Sequence, residues 1–207
     1  MSIEIKYLGC TDYLTTWADM KYFISEPSSK DELWITEHHP VFTTGVNKKN
    51  SVLPDSDIPH LYVDRGGKIT YHGPGQLIIY TLINIKKNKL TIRQLVSILE
   101  NSVIDFLKLN QISSYSKKEA PGVYIEGKKI CSIGLRIKQD YAYHGLSFNV
   151  DMDTSPFTMI DPCGFNGLKM AQLSDFNIKN TVKKSGHEIA YIITKKLNKY
   201  YEQNNKN

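Results

Sequence analysis

Apolar and polar positions follow two rhythms along this chain, and together they predict its elements. Residues 77–85 read Leu-Ile-Ile-Tyr-Thr-Leu-Ile-Asn-Ile, a long β-branched run that predicts a buried strand. Looser alternation predicts a first strand over 3–8, another over 33–37 running on into 41–45, and a short one over 61–64. Residues 123–126 and 129–137 form a predicted hairpin across Gly127-Lys128, and a turn at Gln139-Asp140 leads into a strand over 142–150. Helical spacing appears three times. Thr11-Asp12 caps a helix over 13–25, with Leu14, Trp17, Met20 (or Lys21) and Ile24 inward and Pro27 ending it. Thr91 caps the clearest amphipathic helix, which gathers Ile92, Leu95, Val96, Leu99, Val103, Phe106 and Leu107 on one face. A last helix covers 182–201 with Ile189, Ile192, Ile193 and Leu197 inward, and the polar tail after it frays. Residues 46–59 form a polar loop long enough to act as a lid, and 151–172 read as largely irregular. Strands interspersed with helices predict an α/β (α+β) fold, a mixed β-sheet flanked by helices, as a single domain over 1–207.

Composition changes this picture little. With 207 residues, 41% apolar and 23% charged, the chain can bury a real core and does not fit the disordered or fibrous classes. No apolar run is long enough to span a bilayer, and the first residues lack a signal peptide's basic start and apolar stretch. Three cysteines without a dense framework point to thiols in a reducing compartment, so a cytoplasmic location is expected, with a monomer as the default. The net charge of +5 comes from scattered lysines, the pattern of a solvated surface whose mild positive field suits an acidic protein partner. No basic stripe interleaves with aromatics, so nucleic acid is not an expected partner.

Candidate chemistry is concentrated in a few places. Arg65-Gly-Gly-Lys-Ile-Thr-Tyr-His-Gly-Pro-Gly-Gln76 packs four glycines, two cations and a histidine ahead of the core strand. Those glycines let the backbone approach another strand or a ligand closely, and a structural loop explains them equally well. The stretch is no nucleotide-binding loop, because it lacks the Gly-Lys-Ser/Thr ending and a strand, not a helix, follows. Of the cysteines, Cys10 at a strand end reads as a small packing residue, and Cys131 in an alternating strand as a buried thiol. Cys163 sits between Pro162 and Gly164 in a tight turn that can present a nucleophile, and an inert loop thiol is the equal alternative. Cys131, His144 and Cys163 lack the close spacings of common zinc sites, so no metal is expected. His72 and His144 each precede a glycine and either orient a substrate or hydrogen-bond backbone, the second being the commoner role.

Taken together in order, several blocks resemble the lipoyl(octanoyl) transferase family. They are the stretch from Arg65 to Gln76, Ala120-Pro-Gly-Val-Tyr124, Lys129-Ile-Cys-Ser-Ile-Gly-Leu-Arg136, His144-Gly-Leu-Ser-Phe-Asn149 and Asp161-Pro-Cys-Gly164, with Asp31-Glu-Leu-Trp-Ile-Thr-Glu-His38 as an early strand. The resemblance implies a biotin/lipoate protein ligase type of domain that moves an octanoyl group from acyl carrier protein to a lysine of lipoate-dependent enzymes. It makes Cys163 the acyl-carrying nucleophile and Lys129 the partner that lowers its pKa and moves protons. It assigns Arg65, Gly66, Gly67, Lys68, Ile69, Thr70, Tyr71, His72, Ser132, Ile133, Gly134, Gly145, Leu146 and Ser147 to the acyl pocket. Implied partners are acyl carrier protein as donor and, as acceptors, the lipoyl domains of 2-oxoacid dehydrogenases and the glycine cleavage H protein. No cofactor is implied, since thioester to amide is downhill without ATP. Ser147 and Asp161 stand where many members carry alanine and asparagine. Lys128 falls in the predicted turn and faces solvent.

One tension remains within the motif. In a regular strand Lys129 and Cys131 share a face while Ser132 and Gly134 point the other way, which makes Cys131 a rival nucleophile unless the strand is bulged. Backbone N–H groups at His72 and Gly73, or at Cys163 and Gly164, are the candidate oxyanion donors. Alternative readings are an ATP-dependent lipoate- or biotin-protein ligase of the same fold, a non-catalytic acyl- or lipoyl-domain-binding module, and a cysteine hydrolase.

Overall fold

The apolar run at Leu77 becomes β6, Gln76–Asn84, with eight of its nine residues buried. A strand so fully buried needs cover on both faces. The computed structural model describes residues 3–26, 30–47, 54–161 and 167–204. Around β6 the chain places β1 (Ile3–Thr11), α1 (Tyr13–Ser25), β2 (Asp31–His38), β3 (Val41–Thr44), β4 (His60–Tyr62) and β5 (Ile69–His72) before it. After it come α2 (Ile92–Leu109), β7 (Tyr115–Ser116), β8 (Gly122–Ile125), β9 (Lys128–Lys138), β10 (Tyr141–Asn149) and α3 (Val182–Asn204).

Seven strands form one sheet in the order β1-β2-β6-β10-β9-β8-β7, and β4-β3-β5 form a second, smaller one. In the large sheet β1 runs parallel to β2 and the remaining pairs are antiparallel, so the sheet is mixed. Alternation along β6 divides the core. Leu77, Ile79 and Ile83 pack with Leu95, Leu99, Val103, Ile189 and Ile193 from α2 and α3. Ile78, Tyr80 and Leu82 pack under Met20 and Ile24 of α1.

Local signals explain the helix starts. The Asp12 side chain accepts from Thr15 N at α1, and Thr91 and Gln94 form a reciprocal capping box at α2. The inward face of α1 differs from expectation. Tyr13, Thr16, Met20 and Ile24 are buried while Leu14 is 48% exposed. The true stripe begins on Tyr13, whose hydroxyl has polar company in the interior, and Leu14 lies one helical step off it.

Two further boundaries shift. β5 interrupts the glycine-rich stretch, which is therefore a loop, a strand and a turn. The β8–β9 turn falls on Glu126 (φ 49°) and Gly127 (φ 82°), since this tight hairpin needs positive φ at both central positions. Lys128 accordingly starts β9, exposed as expected. The predicted lid and Pro27 lie partly or wholly outside the described residues.

Gly145 sits where β10 crosses β6, and a Cβ there would lie 1.9 Å from the Ile79 carbonyl oxygen. No side-chain movement relieves a clash with backbone. Gly145→Ala is expected to cost at least about 3 kcal/mol. A thermal melt should show Tm falling by roughly 6–12 °C.

Candidate active site

The motif in β9 is reshaped by a bulge. Across the β8–β9 pair Gly122 faces Ser132, Val123 faces Cys131 and Tyr124 faces Lys129, so Ile130 is an extra residue without a partner on β8. This changes the side-chain phase. Lys129 comes onto the face of Ser132, while Cys131 turns the other way with Val123 into the core under α2. The conflict posed by regular alternation disappears. Cys131 is fully buried and its thiol is pushed up to about 12 by burial, against the opposing pull of the Lys129 charge.

Lys129 is itself 1% exposed. Its ammonium lies 5.4 Å from the centre of the Tyr124 ring. Its backbone N–H donates to the Lys169 carbonyl and its carbonyl accepts from Ala171 N, both at 2.9 Å. Residues 169–171 thus pair with the start of β9. Lys128, Asp161, Gly167 and Lys169 border one open cavity there. Cys163, with the rest of 162–166, lies outside the described residues, as does the second candidate oxyanion pair.

All the pocket residues named from sequence except Tyr71 border a single cavity between β5, β9 and β10. Side chains on a strand alternate, so Tyr71, between Thr70 and His72, points away from it. Its ring packs against Phe42 at 5.4 Å and Phe157 at 5.6 Å in a separate apolar cluster. The loop after β4 is latched over the cavity. Gly66 N donates to the Leu135 carbonyl at 3.0 Å, and a Cβ on Gly134 would come 2.8 Å from the Gly66 oxygen. Two small residues therefore let loop and strand touch. The buried Arg65 guanidinium donates to the Thr43 carbonyl (2.7 Å), the Thr43 hydroxyl (2.8 Å) and the Gly66 carbonyl (3.0 Å).

The cavity has four further lining residues that sequence reading did not assign to it: Tyr13, Ile78, Tyr80 and His144. Three buried histidines support this wall. His38 Nδ1 donates to the Thr11 carbonyl (3.0 Å), which leaves Nε2 to accept from the Tyr80 hydroxyl (2.6 Å). His72 Nδ1 donates to Gln76 Oε1 (2.7 Å), and its Nε2 accepts from Thr43 at 3.3 Å. His144 Nε2 donates to Asp64 Oδ1 at 2.8 Å. Burial lowers all three, His38 to about 4 and His72 to about 3. They are neutral. Burial alone would raise Asp64, yet hydrogen bonds from His144, Tyr143 and Trp17 hold it well below the usual carboxylate range.

Cys10 departs from the packing role expected of it. It is exposed on the edge strand β1, with its sulfur 3.8 Å from His39 Nδ1. Among the described residues no three His, Cys, Asp or Glu side chains gather as a metal site, and no helix is long and apolar enough to cross a membrane.

Fold and site together define a lipoate-ligase type of acyl-group enzyme, and comparison with known proteins agrees. The model of the lipoyl protein ligase A/B catalytic domain matches residues 12–190, and the chain belongs to that family. Within it the chain belongs with the octanoyltransferases. It is 45% identical over 199 residues to the octanoyltransferase of Shewanella halifaxensis, covering 95% of this chain and 91% of that one. To the octanoyltransferase of Shewanella frigidimarina it is 48% identical over 191 residues, covering 91% and 88%. Among solved structures, a lipoate-protein ligase A bound with ATP superimposes with a TM-score of 0.78 at 14% identity, covering 96% of this chain and 86% of that one. The biotin protein ligase of Aquifex aeolicus gives 0.62 at 15% identity, covering 98% and 72%. These two show the fold.

Proposed function

We propose that this chain moves an octanoyl group from acyl carrier protein to a lysine of lipoyl domains through a thioester on Cys163. The observation that carries the reading is the bulge at Ile130. It gives Lys129 a common face with cavity-lining Ser132 and turns the rival thiol of Cys131 into the core. Cys163 stands two residues after Asp161 and six before Lys169 in the sequence. Lys169 pairs with the start of β9, and Asp161 borders a cavity that Lys128 also borders.

The chemistry is as follows. A free thiol near pKa 8.5 is only a few per cent thiolate at neutral pH. An ammonium about 4 Å away contributes on the order of 4 kcal/mol at an effective dielectric of 20, before desolvation is subtracted. Half of that lowers the thiol by more than about one pKa unit, and the pair titrates jointly. Lys129 takes the thiol proton, and the thiolate of Cys163 adds to the donor's thioester carbonyl. The carbon–sulfur bond to the carrier breaks, and the departing carrier thiolate takes the proton from Lys129. The acceptor's lysine amine then attacks the acyl-cysteine, the amide forms, Cys163 leaves as thiolate and the amine proton passes to Lys129. Every proton is accounted for without ATP. The apolar parts of Ile69, Ile78, Ile133 and Leu146 suit the octanoyl chain. The acceptors are the lipoyl domains of 2-oxoacid dehydrogenases and the glycine cleavage H protein, and the lysine-rich surface suits acidic carriers.

Intact-mass measurement after mixing with octanoyl-acyl carrier protein tests the proposal. The expected result is one octanoyl adduct formed without ATP and discharged by an apo-lipoyl domain. No adduct, or a strict need for ATP and free acid, overturns it, the second in favour of a ligase.

A further inference from the structure

Lys129 is held from behind by α2. Glu100, partly buried on that helix, accepts the backbone N–H of Gly122 at 2.9 Å. Gly122 is the surface against which the lysine stem lies. Its φ is +141°, and a Cβ there would come 2.6 Å from Lys129 Cε and 2.2 Å from the Cys131 carbonyl oxygen. The carboxylate therefore fixes the strip of backbone that the lysine packs on. The two charges also act on each other. Burial raises Glu100, while the Lys129 charge and the hydrogen bond from Gly122 pull it down. A buried ammonium needs a counter-charge to remain protonated. On the reading proposed above, the Cys163 thiolate is one such charge only while the cysteine is not acylated.

We propose that Glu100 is a positioning residue for octanoyl transfer, seating the Gly122 backbone against the Lys129 stem and adding a fixed negative charge that raises the lysine's proton affinity. The proposal rests on Lys129 acting as the proton carrier of the reaction above. Among the described residues, the titratable groups gathered here include Glu100 from α2, Tyr124 from β8, Cys131 on β9, and Lys117, whose ammonium lies 4.6 Å from the Tyr124 ring centre.

The test is a carbon-13 NMR titration of the Lys129 ε-carbon in the parent and in Glu100→Gln. The amide oxygen of glutamine still accepts from Gly122 N, so fold and Tm are expected to persist while the charge is gone. The Lys129 pKa is expected to fall by about one unit, a tenfold change in proton affinity. In step, kcat should fall roughly tenfold or more with KM for the octanoyl donor unchanged, and Glu100→Asp should recover part of it. An unchanged lysine titration in a folded Glu100→Gln protein overturns the proposal. Should that variant fail to fold, the reciprocal measurement decides: in Lys129→Met the Glu100 carboxyl should titrate about one unit higher. No rise there refutes the coupling. Both titrations are read without octanoyl transfer, so they succeed or fail independently of the transferase reading.

Discussion

Cys163→Ala should yield a folded protein that takes up no octanoyl group and transfers none, at least about 10⁴-fold below the parent, while Cys131→Ala keeps both activities. Removing a covalent nucleophile takes away the intermediate and leaves only binding and polarisation, which accounts for losses on that scale. Cys131 cannot substitute for it. Its sulfur lies among Val123, Ile130 and Phe148 in the core, and burial pushes its thiol up to about 12, leaving almost no thiolate at neutral pH. Its replacement by alanine removes one sulfur from a packed interior, a cost of about 1–2 kcal/mol. That appears as a Tm loss of a few degrees rather than a loss of turnover. Alanine is the better probe than serine at this site, since a buried hydroxyl without a partner adds its own penalty. Intact mass and transfer rate on the two variants decide the matter. An adduct lost from Cys131→Ala alone reverses the assignment of the nucleophile.

The elements whose signals are local could be read directly. Thr91 with Gln94 caps α2, whose apolar stripe is long and regular, and β6 announces itself by continuous burial. The Gln139-Asp140 turn, with φ of 49° and 64°, shows the positive-φ pair that a two-residue hairpin needs, which Asp140 tolerates well. What was hidden depends on contacts distant in sequence. A bulge has no composition of its own, and Ile130 betrayed itself only through the conflict between Lys129 and Ser132. Tyr13 was read as a helix start, yet its ring stacks on His72 at 5.7 Å and helps form the cavity wall. His38 and Tyr80 meet across 42 positions of sequence. His38 closes a strand of mixed polarity and Tyr80 sits in the apolar middle of β6, so neither marks the other in the sequence. The pocket run from Arg65 to His72 was legible through the family resemblance, its glycines alone fitting a structural loop equally well, and β5 within it was not. Tyr71 was drawn in with its neighbours although strand alternation carries it to the other side.

That buried polar wall makes acid the strongest stress on this fold. Unfolding free energy is expected to fall steeply below pH 6.5, with the unfolded chain binding about two more protons than the native one near pH 5 through His38 and His72 alone. A histidine whose folded pKa is depressed contributes stability above its unfolded value, and that stability is lost as pH falls toward the folded one. His38, at about 4, and His72, at about 3, against an ordinary 6.5 correspond to losses on the order of 3 and 5 kcal/mol. His144 adds to them in the same direction. Two protons amount to a slope of about 3 kcal/mol per pH unit, set against a total stability of about 5–15 kcal/mol. Asp31 and Glu100, raised by burial, oppose this trend, and Asp64 joins it, but in the lower range where carboxylates titrate. Urea unfolding at pH 7, 6 and 5 measures the slope, and His72→Gln should remove about one proton from it. Stability that stays level from pH 7 to 5 contradicts the assignment of neutral histidines. Their neutrality is what the wall requires: only a neutral imidazole can donate to Thr11 or Gln76 while accepting from Tyr80 or Thr43. Protonation would remove the accepting nitrogen at both His38 and His72, so the Tyr80 and Thr43 hydroxyls would lose the groups they donate to.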